Sequence, residues 1–215
     1  MADEKLILLQ KEEYTGVDVD DPIRFYFWPL VGSLYRRRVE RCLNQCIGGE
    51  SVLDVGFGSG ITLLNLARSY RRIYGLDLHA SIDKVTALCK RHGVAVSLRN
   101  GSVVSMPYED GFFDTVLLIS ILEHLRPDEL DAAFNQIRRV LRRGGQVVYG
   151  VPCATRFMQV CFLLLGYDIR KHHFSSESMI AQAAGRYLRK VNITPMKSIF
   201  SFGGKIYETG LFIKD

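Results

Sequence analysis

The stretch Val52-Leu53-Asp54-Val55-Gly56-Phe57-Gly58-Ser59-Gly60 runs from apolar residues straight into three glycines at alternate positions. Glycine lets a chain turn sharply and lie close to a ligand, whose polar groups can meet free amides at the start of the following helix. Spacing narrows the choice of ligand. A dinucleotide fingerprint wants glycine at position 61, where Ile61 stands, and a phosphate-binding loop wants a Gly-Lys pair, which this turn lacks. Asp77 closes the run RIYGLDL, 17 residues after Gly60, where a carboxylate can accept from both hydroxyls of a ribose. Asp77 could instead cap the helix beginning near Ala80, but Ser81 is available for that role. Together the turn and the acid imply an adenosine-containing ligand.

Two further groups could move protons. Glu123-His124 follows DTVLLIS, and His172-His173 lies in a polar joint from Asp168 to Ser176. Imidazole titrates near pH 6.5, so His124, His172 or His173 could remove a proton from a substrate hydroxyl; His124 could equally be an anchor for the helix it begins. The five cysteines (Cys42, Cys46, Cys89, Cys153, Cys161) are scattered and contain no Cys-x-x-Cys pair, so neither a disulfide framework nor a metal site is expected.

These residues need elements to position them. From Ser51 onward, short β-branched runs alternate with helical segments: SVLDV, a helix over 61–70, RIYGLDL, a helix over 81–92, VAVSL, DTVLLIS, a helix over 127–142 and QVVYGV. That alternation predicts βαβ units around five parallel strands buried on both faces. Gly144-Gly145 is expected to stop the last of these helices. Beyond Pro152 come an apolar helical run, a helix over 177–188 and two strand-like runs at 190–199 and 205–213, separated by Gly203-Gly204 and read as an antiparallel hairpin. The expected fold class is thus α/β, a doubly wound, mostly parallel seven-stranded sheet with an antiparallel C-terminal hairpin. Residues 1–48, with a helix over Leu34–Cys46, form a preface or cap; residues 49–215 form the main domain, with a cap-like insert at about 153–176.

The ordered blocks VLDVGFGSG, YGLDL, MPYEDGFFDTVLLISILEHL and RRVLRRGGQVVYGVP resemble those of class I S-adenosylmethionine-dependent methyltransferases of the small-molecule type, over about residues 50–152. The resemblance implies a Rossmann-like methyltransferase fold, with S-adenosylmethionine as cofactor and S-adenosylhomocysteine as product. It implies that Asp54 and the turn Gly56, Phe57, Gly58 and Gly60 hold the methionine part, and Asp77 the ribose. Leu78 would pack on the adenine face, Ser102 and Val103 would lie at the adenine edge, and Ile119 and Ser120 would face the reaction site. Ser102 departs from the pattern, which has an acidic residue there; a serine accepts from the adenine amine without the help of a charge.

Composition bounds the partners. With 47% hydrophobic and 24% charged residues the chain is an ordinary globular one. A net charge of +5 gathers in Arg36, Arg37, Arg38 and Arg41 and in Arg138, Arg139, Arg142 and Arg143. Both runs fall in helix-like segments, where solvated surface accounts for them, so nucleic acid is not the expected partner. MADEKLILLQKEE lacks the basic start and apolar core of a secretory signal, so a reducing cytoplasm is expected. The nine residues from Phe157 to Leu165 fall short of the roughly 20 that span a bilayer. With Phe25, Phe27, Trp28 and Leu30, the apolar residues Phe157, Met158, Phe162, Leu163 and Leu164 could form a lid over a hydrophobic small-molecule acceptor, a peripheral membrane contact, or plain core. A cofactor-binding interaction protein without catalysis is the alternative in another class, and RNA methylation a third. The sequence leaves the oligomeric state open.

Overall fold

Buried β-branched runs have to pair with one another to satisfy their backbone, and here they do so in one sheet. The computed structural model describes residues 5–14, 23–29, 31–153, 173–197 and 204–215. Seven strands follow in chain order: β1 (Gly49–Val55), β2 (Tyr70–Asp77), β3 (Val96–Asn100), β4 (Phe113–Ile119), β5 (Leu141–Pro152), β6 (Arg189–Lys197) and β7 (Lys205–Ile213). Across the sheet the order is β3-β2-β1-β4-β5-β7-β6. Neighbours from β3 through β5 run parallel, whereas β7 is antiparallel to both β5 and β6. The expected topology holds. Strand order reverses between β1 and β4, and a crevice outside the carboxyl ends of strands at such a point is where open α/β sheets bind ligands.

Alternation along each strand feeds two cores. Leu53, Val55, Val116, Leu118, Val147, Tyr149 and Val151 face one side, packed against α5 (Pro127–Val140) and α6 (Glu177–Tyr187). Val52, Ile73, Leu117 and Val148 face the other, against α2 (Gly32–Leu43), α3 (Leu63–Leu66) and α4 (Ile82–Arg91). Helix α5 shows how sequence makes one such layer. Pro127 occupies its first turn, the Glu129 carboxylate accepts from the Arg126 N–H at 2.8 Å, and Leu130, Ala133, Phe134, Ile137 and Val140 bury one stripe. Burying a side chain such as Phe134 contributes about 1.5–3 kcal/mol. A third cluster joins Tyr14, Tyr26, Tyr35 and Val39 of the preface to Ile61 and Leu88, with α1 (Ile23–Tyr26) inside it.

Three expectations need correction. The helix expected over 61–70 shrinks to Leu63–Leu66, because Ala67 to Ser69 turn and Tyr70 already pairs with Gly49 at the start of β2. The third strand lies at Val96–Asn100, not at 94–98, since its register is set by Ile73 pairing with Val96. Gly144-Gly145 does not stop a helix: α5 ends at Val140, Leu141 already pairs with Phe113, and the glycines lie in a bulge before Thr115 pairs with Gln146. Gly144 uses φ +73° there, and a Cβ on Gly145 would press on the carbonyls of Arg142 and Phe113.

At the amino ends of the strands, buried Asp114 ties the sheet together. Its Oδ2 accepts from the N–H groups of Glu50 and Ser51, each at 2.7 Å, and its Oδ1 lies 2.6 Å from Arg142 Nε. Arg139 donates to the carbonyls of Met106 and Tyr108 and to Asp110. Two arginines of the second basic run are thus spent on the fold.

Candidate active site

Outside the carboxyl ends of β1 and β4 lies a cavity of about 940 Å³, and the residues singled out by type and spacing converge on it. Asp54, Gly56, Phe57, Gly58, Asp77, Leu78, Ser102, Val103, Ile119, Ser120, His124 and His173 all line it. Gly60 does not; it stands at φ +78° behind the turn, where a Cβ would meet Val85. His172 lies outside the described residues, as do Leu30, Cys161 and the whole apolar run 157–165.

The turn and the acid are bonded to each other. Gly58 N–H donates to Asp77 Oδ2 at 2.9 Å, while Asp77 Oδ1 accepts from the N–H groups of His79 and Ala80, each at 2.9 Å. A carboxylate offers about four lone-pair sites, so at least one remains for a ligand hydroxyl. Asp77 does cap the turn after β2. Ser81, by contrast, makes no side-chain cap bond at the start of α4. The two readings of Asp77 are therefore compatible rather than exclusive.

Gly56 stands at φ +76°, and a Cβ on it would fall 2.0 Å from Ile121 Cδ1. Gly75 clears space for Phe57 in the same way, at 2.6 Å. Thr62 donates a short hydrogen bond to Asp54 Oδ2. Burial pushes the Asp54 carboxyl up to about 7, against the opposing pull of that hydrogen bond. Leu78 is 60% exposed, an apolar face available for contact. Ser102 Oγ accepts from the Val104 N–H at 3.4 Å, and its backbone bridges Ser105, so the serine shapes its own loop as well as the cavity edge.

Past β4 the chain is held in an uncommon conformation. Ser120 has φ +58°, the sole positive value on a non-glycine residue among those described, and its N–H donates to the Gly150 carbonyl at 2.8 Å. Such outliers cost about 1–3 kcal/mol and gather at functional sites. Three residues on, Glu123 is 2% exposed, with Oε2 buried and unpartnered, and burial pushes its carboxyl up to about 8 while the Arg38 charge draws it back. The rings of His124 and His173 meet edge to face at 5.2 Å. Glu123, His124 and His173 each offer a ligand-capable atom within 4.8 Å of the others, a spacing at which they could share a cation.

Several residues of this site escape a reading by motif. Arg38 lines the cavity from α2, donating to Ser120 Oγ at 3.4 Å and Tyr26 Oη at 3.3 Å, with its guanidinium 4.1 Å above the Tyr35 ring. Behind this lining stands Tyr207 of β7, its hydroxyl 3.3 Å from Ser120 Oγ, in room left by Gly150, whose Cβ would meet that hydroxyl at 2.6 Å. Burial raises the hydroxyl pKa of Tyr35 and, further, of Tyr207. Helical spacing carried a signal for Arg38: α2 buries Tyr35, Val39 and Cys42, and position 38 falls on that same face. It had been grouped instead with its exposed neighbour Arg37.

A family model described as a methyltransferase domain matches residues 53–149. A fatty-acid O-methyltransferase of Mycolicibacterium smegmatis is 35% identical over 106 residues, 48% of this chain and 37% of that protein. An uncharacterized methyltransferase of Anoxybacillus flavithermus is 27% identical over 169 residues, 73% of this chain and 78% of that protein. Among solved structures, a geranyl diphosphate methyltransferase in complex with S-adenosylmethionine superposes with a TM-score of 0.71 at 14% identity, covering 98% of this chain and 97% of the other. The first two curated relatives are aligned over only 30% and 37% of their own length. Residues 53–149 thus match a methyltransferase-domain family model, and the chain shares the Rossmann-like fold of solved methyltransferases. The preface, which lines part of the cavity, lies outside the matched block.

Proposed function

We propose that this protein transfers the methyl group of S-adenosylmethionine to a small acceptor with an apolar body. One observation carries the reading: the glycine turn and Asp77 are joined by the Gly58 hydrogen bond above a cavity at the point where strand order reverses. The cofactor supplies a methyl group already activated on a sulfonium. The chain has only to bind, orient and keep water out.

On this reading Asp77 accepts from the ribose, Leu78 covers the adenine, and Ser102 with Val103 lies at its edge. Asp54 and the turn Gly56–Gly60 take the methionine end, and Ile119 and Ser120 flank the reacting group. His124 and His173 stand together where a general base is wanted, with His172 next in the chain. Residues 1–48 serve as cap and 49–215 as catalytic body, with 153–176 as a cap-like insert in the sequence. Phe25, Tyr26, Val39, Ile121 and Leu125 give the acceptor side an apolar lining. The relative named as a fatty-acid O-methyltransferase supports a hydrophobic small molecule as acceptor. Among the described residues no helix is long and apolar enough to cross a membrane.

Calorimetric titration with S-adenosylmethionine, S-adenosylhomocysteine and NAD tests the reading. Binding of the adenosyl pair without NAD, followed by labelled-methyl transfer to hydrophobic metabolites, is the expected result. Failure of both adenosyl ligands to bind overturns it.

A further inference from the structure

Arg38 is a cation placed where a cation is expensive. It comes from the buried face of α2, its Nε is buried without a hydrogen-bond partner, and its two bonded nitrogens reach only hydroxyls, those of Ser120 and Tyr26. Its charge lies over the Tyr35 ring at 4.1 Å, with the Tyr26 and Tyr207 rings at 5.7 and 5.9 Å. No carboxylate of a described residue forms an ion pair with it, although eight such pairs occur elsewhere among those residues. Its acidic neighbour Glu123 is pushed by burial toward the neutral form, so the half-buried guanidinium keeps a desolvation cost that a bound anion would offset.

We propose that Arg38 is a carboxylate-binding residue and that the carboxylate is carried by the methyl acceptor. The proposal deepens the methyl-transfer reading and rests on it. A planar carboxylate suits the guanidinium fork, of which Nε–H is one free tooth, and a single cation among neutral hydroxyls suits a monoanion. The hydroxyls of Tyr26, Tyr207 and Ser120 can rotate to donate to the same oxygens. Phe25, Val39, Ile121 and Leu125 line the rest of that half of the cavity, so the carboxylate would head an apolar body.

The cofactor carries a carboxylate too, at its methionine end. Chain position favours the acceptor. The cofactor cradle of Asp54, the glycine turn, Asp77 and Ser102 lies wholly within residues 53–149, whereas Arg38 and the rings around it, Tyr26, Tyr35 and Tyr207, lie outside that block, with Ser120 the one partner inside it.

The test is calorimetry on the full chain in three arms. Wild-type protein is first titrated with S-adenosylhomocysteine; if that fails to bind, it is the methyl-transfer reading that falls. The loaded protein is then titrated with decanoate against decanol and with cinnamate against cinnamyl alcohol. A carboxylate preference of about tenfold or more is expected for at least one pair, lost in Arg38→Gln, while S-adenosylhomocysteine affinity stays within about twofold. Tyr26→Phe removes one hydroxyl and should cut the preference about threefold, which keeps the test decisive if Arg38→Gln does not fold. Absence of carboxylate binding, equal binding of acid and alcohol, or a preference unmoved by the variants overturns the proposal. So does the third arm, if Arg38→Gln weakens S-adenosylhomocysteine but not 5′-methylthioadenosine, because Arg38 would then serve the cofactor's own carboxylate.

Discussion

The two halves of the cavity are made of different material. On the cofactor side the decisive groups are backbone: positive-φ glycines at 56, 58 and 60, and the N–H groups of Gly58, His79 and Ala80 gathered on one carboxylate. On the proposed acceptor side they are side chains from remote parts of the chain: Phe25 and Tyr26 of the preface and Arg38 of α2, with Tyr207 of β7 packed behind Ser120. Backbone geometry tolerates few substitutions, and a side-chain lining can be exchanged piece by piece. A ligand common to a whole family suits the first, and an acceptor that varies suits the second.

Substitutions can break or sharpen that contrast. The largest effect should come from Gly56→Ala: its Cβ adds strain at φ +76° and collides with Ile121. A stability loss of about 1–3 kcal/mol in thermal denaturation, with loss of S-adenosylhomocysteine binding, is expected. Asp77→Ala comes next. It removes the proposed ribose acceptor and orphans three N–H groups, and should weaken cofactor binding by roughly 1.5–3 kcal/mol in calorimetry; unchanged affinity would take Asp77 out of the ribose site.

Third is pH. Burial holds the Asp54 carboxyl at about 7, well above its ordinary 3.8, so the folded protein keeps this proton where an unfolded chain has lost it. The group therefore costs stability progressively as pH rises between those two values. A carboxylate that meets the cofactor's ammonium must first lose the proton, so S-adenosylhomocysteine affinity should rise with pH through about 7. Asp54→Asn should flatten that rise, and Thr62→Val should move it to higher pH. Phe25→Ala, on the acceptor side, removes ring contacts with Trp28 and Tyr35. It should cost about 0.5–1.5 kcal/mol in acceptor binding and leave cofactor affinity unchanged; a parallel loss of both would erase the contrast. The smallest effect is a gain: Ser102→Asp should tighten cofactor binding severalfold by adding charge at the cavity edge.

The same contrast explains what could be read from the sequence. Strand order and the cofactor turn were legible because glycine spacing and β-branched runs act locally; VLDVGFGSG and YGLDL each fold by their own rules. The shortened α3 was not, because nothing local says that Tyr70 leaves the helix to pair with Gly49. Nor was the bulge at Gly144-Gly145, which looks like a helix stop until Leu141 is seen opposite Phe113. Arg38 and Tyr207 stand far apart in the chain and meet only through tertiary packing. Position 38 could still have been flagged by its place on the face of Tyr35 and Val39. Nothing local flags Tyr207, whose role depends on Gly150 two strands away in sequence.

The place of β7 has a consequence for synthesis. It follows the other six described strands in sequence, yet it lies inside the sheet, between β5 and β6. A nascent chain therefore presents β1 to β5 and the glycine turn before β6 has any neighbour to pair with. The edge of β5 stays open until residues 205–213 arrive. The glycine turn and its strands can thus assemble during synthesis before Tyr207 is made to complete the surroundings of Arg38.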